Sequence, residues 1–132
     1  MIRITQLHDL DDAKELHSMA FPRDAWAGDD HTFWVAMEDG KVVGFCSAKL
    51  WPPHGVFLSR CAVRKDYSGK GLQRSMIRTR VKWAIEQGAD RVFTYTTLKN
   101  YPSIMNLLRC KFRFYDGHWV GSDVHYMELK LK

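Results

Sequence analysis

The stretch Cys61-Ala62-Val63-Arg64-Lys65-Asp66-Tyr67-Ser68-Gly69-Lys70-Gly71-Leu72-Gln73-Arg74 reads as an apolar strand end, a glycine-punctuated turn and the opening of a basic amphipathic helix. Glycines at 69 and 71 open backbone conformations closed to other residues, so successive amide N–H groups can converge on one oxyanion. A helix that begins near Leu72 adds its unpaired first amides and the positive end of its dipole. Lys70, Arg74 and Arg78 place cations around the same point. Together these features specify an anion site, with a phosphate as its natural ligand.

Spacing separates the phosphate ligands that use such a turn. A P-loop, G-x-x-x-x-G-K-S/T, requires glycine where Arg64 stands and a hydroxyl where Gly71 follows Lys70. A dinucleotide-binding G-x-G-x-x-G requires glycine at the position of Arg74. Neither pattern fits. The segment from Phe57 to Met76 resembles the acetyl-CoA-binding strand-turn-helix of the GNAT N-acetyltransferase family, which carries Q/R-x-x-G-x-G/A; Ser68-Gly69-Lys70-Gly71-Leu72-Gln73 lies over it. Gly71 matches the central glycine, whereas Ser68 replaces the leading Gln or Arg and Gln73 the final small residue. A second stretch, Asn100-Tyr101-Pro102-Ser103 through Leu107-Leu108-Arg109 to Phe112-Arg113-Phe114, is similar to the family's later N-x-x-A/S helix and its G-F strand start, with Lys111 in place of the glycine.

The resemblance covers the chain from Ile2 onward and implies an α/β fold. Residues 1–132 would form a single GNAT domain, a mixed, mostly antiparallel sheet with splayed central strands flanked by helices. Acetyl-CoA would lie in the wedge as co-substrate. Cys61, Ala62 and Val63 would face its pantetheine, Ser68, Gly69, Lys70, Gly71, Leu72, Gln73 and Arg74 would hold the diphosphate, and Asn100 and Ser103 would frame the thiol. The implied function is transfer of an acetyl group from acetyl-CoA to a primary amine by direct attack in a ternary complex. The alternative is a degenerate GNAT-fold member, with departures at Ser68, Gln73, Leu107 and Lys111, that binds protein or nucleic acid without catalysis.

Composition agrees. The 132 residues suit one domain with a real core. Met1-Ile2-Arg3-Ile4-Thr5-Gln6 is too polar for a signal peptide, and no apolar run approaches the ~20 residues of a membrane span, so a cytoplasmic protein without membrane contact is expected. Cys46, Cys61 and Cys110 form neither a CxxC pair nor a Cys/His cluster, so neither a disulfide scaffold nor a metal site is expected. A net charge of +5 fits either a polyphosphate co-substrate or nucleic acid. Concentration of the basic residues between Arg60 and Lys82 favours the former; Arg78, Arg80 and Lys82 read as a solvated helix face or a phosphate contact. A homodimer stays open.

Periodicity places the elements. A strand is expected over Ile2 to Thr5, then a helix capped by Asp9 and running to about Ala20, with Leu10, Ala13, Leu16 and Ala20 on its buried stripe. After a loop from Phe21 to His31, Thr32 to Glu38 and Lys41 to Leu50 form a hairpin around Asp39-Gly40. Val56 to Val63 is the fourth strand. The helix after the glycine turn buries Leu72, Met76, Ile77, Val81, Ala84 and Ile85 and ends at Gly88. Arg91 to Thr97 is a strand, Pro102 to Cys110 a helix, and Phe112 to Val120 with Asp123 to Leu131 a closing pair.

Attack by an amine requires a neutral nitrogen, and an alkylammonium has a pKa of about 10.4. The family often carries a Glu on the fourth strand as base; Phe57, Leu58, Ser59 and Arg60 supply no carboxylate. Candidates are therefore Asp24, Asp29, Asp30, His31 and His54 in the flanking loops. The family's thiolate-protonating tyrosine matches Leu107, which leaves that role to Tyr101, Tyr115 or Ser103. Of these, Asp30, His54, Tyr101 and Tyr115 are the expected catalytic residues. Cys61 has no neighbouring base in sequence and reads as a small buried residue rather than a nucleophile. The acidic group Asp24, Asp29 and Asp30 would suit a cationic amine; Trp26, Trp34 and Trp51 would serve packing or an aromatic pocket.

Overall fold

The computed structural model describes residues 1–132. The order is β1 (Arg3–Leu7), α1 (Leu10–Ala20), β2 (His31–Glu38), β3 (Lys41–Trp51), β4 (Gly55–Val63), a short 3-10 turn (Lys65–Tyr67), α2 (Leu72–Glu86), β5 (Arg91–Thr97), α3 (Tyr101–Arg109), β6 (Arg113–Tyr115) and β7 (Val124–Lys130). One seven-stranded sheet runs β1-β2-β3-β4-β5-β7-β6, antiparallel throughout except between β4 and β5. No helix is long and apolar enough to cross a membrane.

Local chemistry explains the boundaries. The Asp9 carboxylate accepts the amides of Asp11 at 2.8 Å and Asp12 at 3.4 Å, which starts α1. Asp39 and Gly40 both have positive φ, 52° and 76°, the backbone of a primed hairpin turn. β1 runs two residues beyond the expected Thr5, because the β2 edge continues to offer ladder partners as far as Phe33. The last pair is shorter than its alternation promises. Only Arg113–Tyr115 pairs with β7, and residues 116–123 fold back as a loop whose tip is pinned by the Tyr126 hydroxyl.

The main core lies between one sheet face and α2 and α3: Leu72, Met76, Ile77 and Ala84 pack with Val43, Val56, Leu58, Val92 and Met127. Each large side chain buried there contributes about 2 kcal/mol. Two expectations fail on this helix. Ile85 is exposed and Val81 only half-buried, while Arg80, expected on a solvated face, is 3% exposed. A cation displaces the apolar stripe because the sheet beneath presents carbonyls that need donors. α1 covers the opposite face over β2 and β3, burying Ala13 and His17 against Phe33 and Phe45; Leu10 and Ala20 stay exposed, so its buried stripe is narrower than expected and includes a histidine.

The geometry that matters is at β4 and β5. Their parallel ladder pairs Gly55, Val56 and Phe57 with Arg91, Val92 and Phe93 and then stops, although β4 continues to Val63 and β5 to Thr97. At the fork the Thr94 hydroxyl donates to the Leu58 carbonyl at 2.8 Å, substituting for the next ladder bond. Beyond it the strands splay, as expected. The register of β3 against β4 also shifts between Cys46 and Ala48. Arg80 sits under this bulge, donating to the carbonyls of Ser47 (3.2 Å), Arg60 (3.5 Å) and Met76 (3.1 Å).

Candidate active site

The glycine turn is built as its sequence requires. Gly69 and Gly71 have φ of 75° and 83°, and Gly71 is the residue before α2. Its carbonyl accepts the Ser75 amide, so the amides of Leu72, Gln73 and Arg74 precede the first helical bond and remain available. Beside them is a cavity of about 480 Å³ lined by Val63, the turn and the exposed side of α3. Arg74 folds back across Gly71: a Cβ placed on that glycine would stand 3.3 Å from Nη2. Arg74 Nε is buried and has no partner. A buried cationic N–H without an acceptor, next to free helix amides, fits a phosphate.

A second cavity of about 230 Å³ is the wedge itself. It is lined by Ser59 and Cys61 of β4, Thr94 to Thr97 of β5, Asn100 at the cap of α3, Ser103 and Leu107 on that helix, and Gln73 and Arg80 of α2. Thr96 Oγ1 is buried and unpartnered on this wall. Open backbone on β4 together with one orphaned hydroxyl suits an extended ligand carrying amides.

The structure thus gathers Cys61, Val63, Ser68, Gly69, Gly71, Leu72, Gln73, Arg74, Asn100 and Ser103 along one continuous path. Ala62 turns its methyl toward α1 and offers only backbone. Lys70 does not line the cavity itself; its ammonium stands 5.4 Å above the ring of Tyr67, which does. Gln73 does not obstruct the turn: its amide lies sideways, donating to Ser103 Oγ at 2.9 Å and accepting from Asn106 at 2.7 Å. Sequence reading missed Asn106 and Arg109, which reach the turn from α3 at a spacing no local motif links to it. Cys61 carries no activated thiol, since burial pushes its pKa up; the Cys46 thiol is pushed to about 12 for the same reason.

The expected proton-transfer residues are not assembled. His54 lies in the β3–β4 turn, before the paired end of β4, with its carbonyl bonded to the Asp90 amide. Tyr101 is 64% exposed at the start of α3 and lines neither cavity. Tyr115, beyond β7 on the sheet edge, stacks under Arg91 and accepts the Trp119 indole N–H at 3.0 Å. Asp30 is ion-paired with Lys49 at 3.0 Å and bonded to His31 at 3.1 Å; these partners hold its carboxyl below the usual range, which weakens it as a base. His31, Lys49 and Phe57 share a cross-strand row, so Asp30 stands about two strand spacings, ~10 Å, from β4. The acidic group is not a free cation trap either. Asp24 faces Arg60, and Asp29 faces Lys14 and accepts the Trp26 indole N–H. No carboxylate or imidazole lines the wedge.

The sheet face opposite α2 is aromatic at the fork. Phe57 lies parallel to Phe93 (5.7 Å) and Tyr95 (5.9 Å), and Trp119 stands edge-on over all three at 5.2–5.7 Å. Trp51 closes one side. On the same face Arg60 donates to the buried His17 Nε2 at 3.3 Å.

The acetyltransferase (GNAT) family model matches residues 2–112. The chain belongs to the GNAT acetyltransferase family. Solved structures share the GNAT fold along the full length. An IAA acetyltransferase from Bacillus cereus superposes with a TM-score of 0.85 at 18% identity, covering 99% of this chain and 100% of that one. A Bacillus subtilis acetyltransferase in complex with CoA gives 0.82 at 18% identity, covering 100% of both chains. A GNAT family acetyltransferase from Elizabethkingia anophelis with acetyl-CoA bound gives 0.76 at 13% identity, covering 98% of each. A search of the curated proteins found no significant match. As a GNAT protein the chain shares the family's frame, and the side chains at its fork are its own. Arg60 and Arg80 flank the fork, Gln73 bridges two helices, and no three His, Cys, Asp or Glu side chains are grouped to hold a metal.

Proposed function

We propose that this chain is an acetyl-CoA-dependent N-acetyltransferase that acts on a primary amine by direct attack within a ternary complex. The observation that carries the reading is the alignment of the glycine turn with the β4–β5 fork, with an unpartnered polar atom on each lining, Arg74 Nε and Thr96 Oγ1. The bound co-substrate would supply an activated acetyl thioester. The amides of Leu72 to Arg74, with the Arg74 guanidinium, hold the diphosphate, and open β4 backbone from Cys61 to Val63 pairs with the pantetheine. Asn100 accepts the Ser103 amide and fixes the start of α3. Ser103 Oγ accepts from Gln73, so its own hydrogen is free to stabilise and protonate the departing thiolate.

The departures from the family pattern leave the cradle open, which favours catalysis over a binding module. Lys111 adopts φ of 75°, performing the glycine's backbone role at the end of α3. Leu107 is buried core, and Gln73 turns aside. Burial of Arg80 interrupts the basic helix face that a nucleic acid would need.

Calorimetric titration with acetyl-CoA tests the proposal, using wild type and Gly71→Glu. Micromolar binding to wild type with a loss of roughly a hundredfold in the variant is expected, because a carboxylate then occupies the anion site. Absence of binding to wild type overturns it.

A further inference from the structure

We infer that the acceptor is a weakly basic aromatic amine, its amino group conjugated with a ring, which lies on the platform formed by Phe57, Tyr95, Trp51 and Trp119. This rests on the acetyl-transfer reading above. A co-substrate held on the α2 and α3 side presents its acyl group through the fork, so the acceptor arrives from the opposite face. Three rings there are open to solvent at one place: Trp51 is 42% exposed, Trp119 43% and Tyr95 36%. Contiguous exposed aromatics of this size mark a binding surface, and flat rings are favoured by offset stacking. Tyr95 belongs both to this platform and to the wedge lining, so a ring stacked here carries its substituent to the fork.

Two further observations select the amine. The first is the resident cations. Lys49 already covers Trp51 at 5.6 Å, Arg91 covers Phe93 at 4.6 Å, and Arg60 stands on the same face of β4. An ammonium would meet occupied cation–π faces and like charge. The second is that the carboxylates on the β2, β4 and β7 sides of the platform are engaged: Asp30 by Lys49, Glu128 by Arg91 at 2.6 Å, and Asp24 faces Arg60 at 3.8 Å. An alkylammonium, pKa about 10.4, needs a base at the fork, and no carboxylate or imidazole lines the wedge. An arylamine, whose lone pair is delocalised into its ring, arrives neutral and needs none. Its nitrogen forms a bond to the acetyl carbon while the carbon–sulfur bond breaks. The nitrogen then loses a proton to water and the thiolate gains one, giving the N-aryl acetamide and free CoA.

Trp119 is held for this role rather than mobile. The Tyr126 hydroxyl accepts the amides of Val120 and Gly121 and donates to the Gly121 carbonyl, and Tyr115 anchors the indole.

The full chain with acetyl-CoA, given aniline, 2-phenylethylamine, spermidine or a peptide with a free α-amine, tests the inference by thiol release and product mass. Aniline should exceed the other three in kcat/KM by about tenfold or more, with a rate flat from neutral to mildly alkaline pH. Trp119→Ala should raise the aniline KM about tenfold while the acetyl-CoA Kd, measured by calorimetry, stays unchanged. Saturation-transfer NMR should show the aniline ring contacting wild type and not the variant, a readout independent of turnover. Preference for either alkylamine or for the peptide, with acetyl-CoA still bound, overturns this acceptor class and leaves the transferase reading standing. Failure of acetyl-CoA to bind overturns both.

Discussion

The two sides of the β4–β5 fork are made of different material. On the α2 side the site is mainly backbone: helix amides, two left-handed glycines and an open strand edge, contributed by one short segment. On the opposite side it is all side chain, with Trp51, Phe57, Tyr95, Arg60 and Trp119 brought from four separate elements. A backbone-built site is fixed by local conformational rules and tolerates substitution around it, which is why Ser68 and Gln73 can replace the family's residues without filling it. A side-chain-built site has no such tether, and its chemistry is free to change.

Gly71→Glu addresses the backbone half and carries the largest expected effect, the roughly hundredfold loss of acetyl-CoA affinity given above. If aniline binding by NMR survives that loss, the two halves are separable. Arg80→Met comes next. It removes donors from the carbonyls of Ser47 and Arg60, which lie at the β3–β4 register shift, and from that of Met76 one turn earlier on α2. Orphaned buried carbonyls cost about 2–4 kcal/mol together, so thermal denaturation should fall by roughly 10 °C. A variant that melts unchanged would mean the bulge holds itself. Gln73→Ala asks whether a side chain intrudes on the backbone half. Gln73 is the one residue lining both cavities, and its two hydrogen bonds join α2 to α3 between them. If the pantetheine must displace that bridge, the variant binds acetyl-CoA about threefold to tenfold more tightly by calorimetry, each net hydrogen bond being worth about 1 kcal/mol. Weaker binding would show instead that the Gln73 amide contacts the co-substrate.

This difference also decides what could be read from the chain. The glycine turn, β5 and the Asp39-Gly40 hairpin follow from residues within a few positions of each other, and each is found where local chemistry puts it. The fork followed from resemblance to a family, not from periodicity. Arg80 escaped because its charge predicts exposure although its position, four residues from both Met76 and Ala84, falls on the buried stripe; the carbonyls at the β3–β4 bulge explain its burial. His54, Tyr101 and Tyr115 line neither cavity for a related reason. Proximity to a loop or motif in sequence says little about which sheet face or strand end a side chain reaches. Tyr95 and Trp119, outside any motif, had no sequence signal beyond being aromatic.

His17 gives the side-chain half a pH signature. Burial lowers its pKa, with the positive charge of Arg60 adding to the effect and Asp24 opposing it. Its neutral Nε2 accepts from Arg60, and protonation would destroy that acceptor. The unfolded chain therefore binds this proton more readily than the folded one, so stability from His17 is intact above the unfolded value of 6.5 and falls as pH drops through the folded value. His31, lowered chiefly by burial, acts in the same direction. Melting curves should shift downward on mild acidification, and His17→Gln should flatten the dependence; an unchanged slope would place the titration elsewhere.

The smallest effect belongs to the backbone half. Lys111 occupies a left-handed conformation at φ 75°, where the amide of the next residue, Phe112, closes onto the Leu107 carbonyl at 3.0 Å to end α3. A side chain there carries a left-handed penalty of about 1–2 kcal/mol that glycine avoids. Glycine also loses more entropy on folding, so Lys111→Gly should gain only about 0.5–1 kcal/mol, a rise of a few degrees in melting temperature. Acetyl-CoA affinity should not change, because Lys111 supplies the turn and lines neither cavity. A destabilised Lys111→Gly would mean that the lysine side chain contributes more than its backbone strain removes, and that this departure from the family pattern is a selected contact rather than a tolerated one.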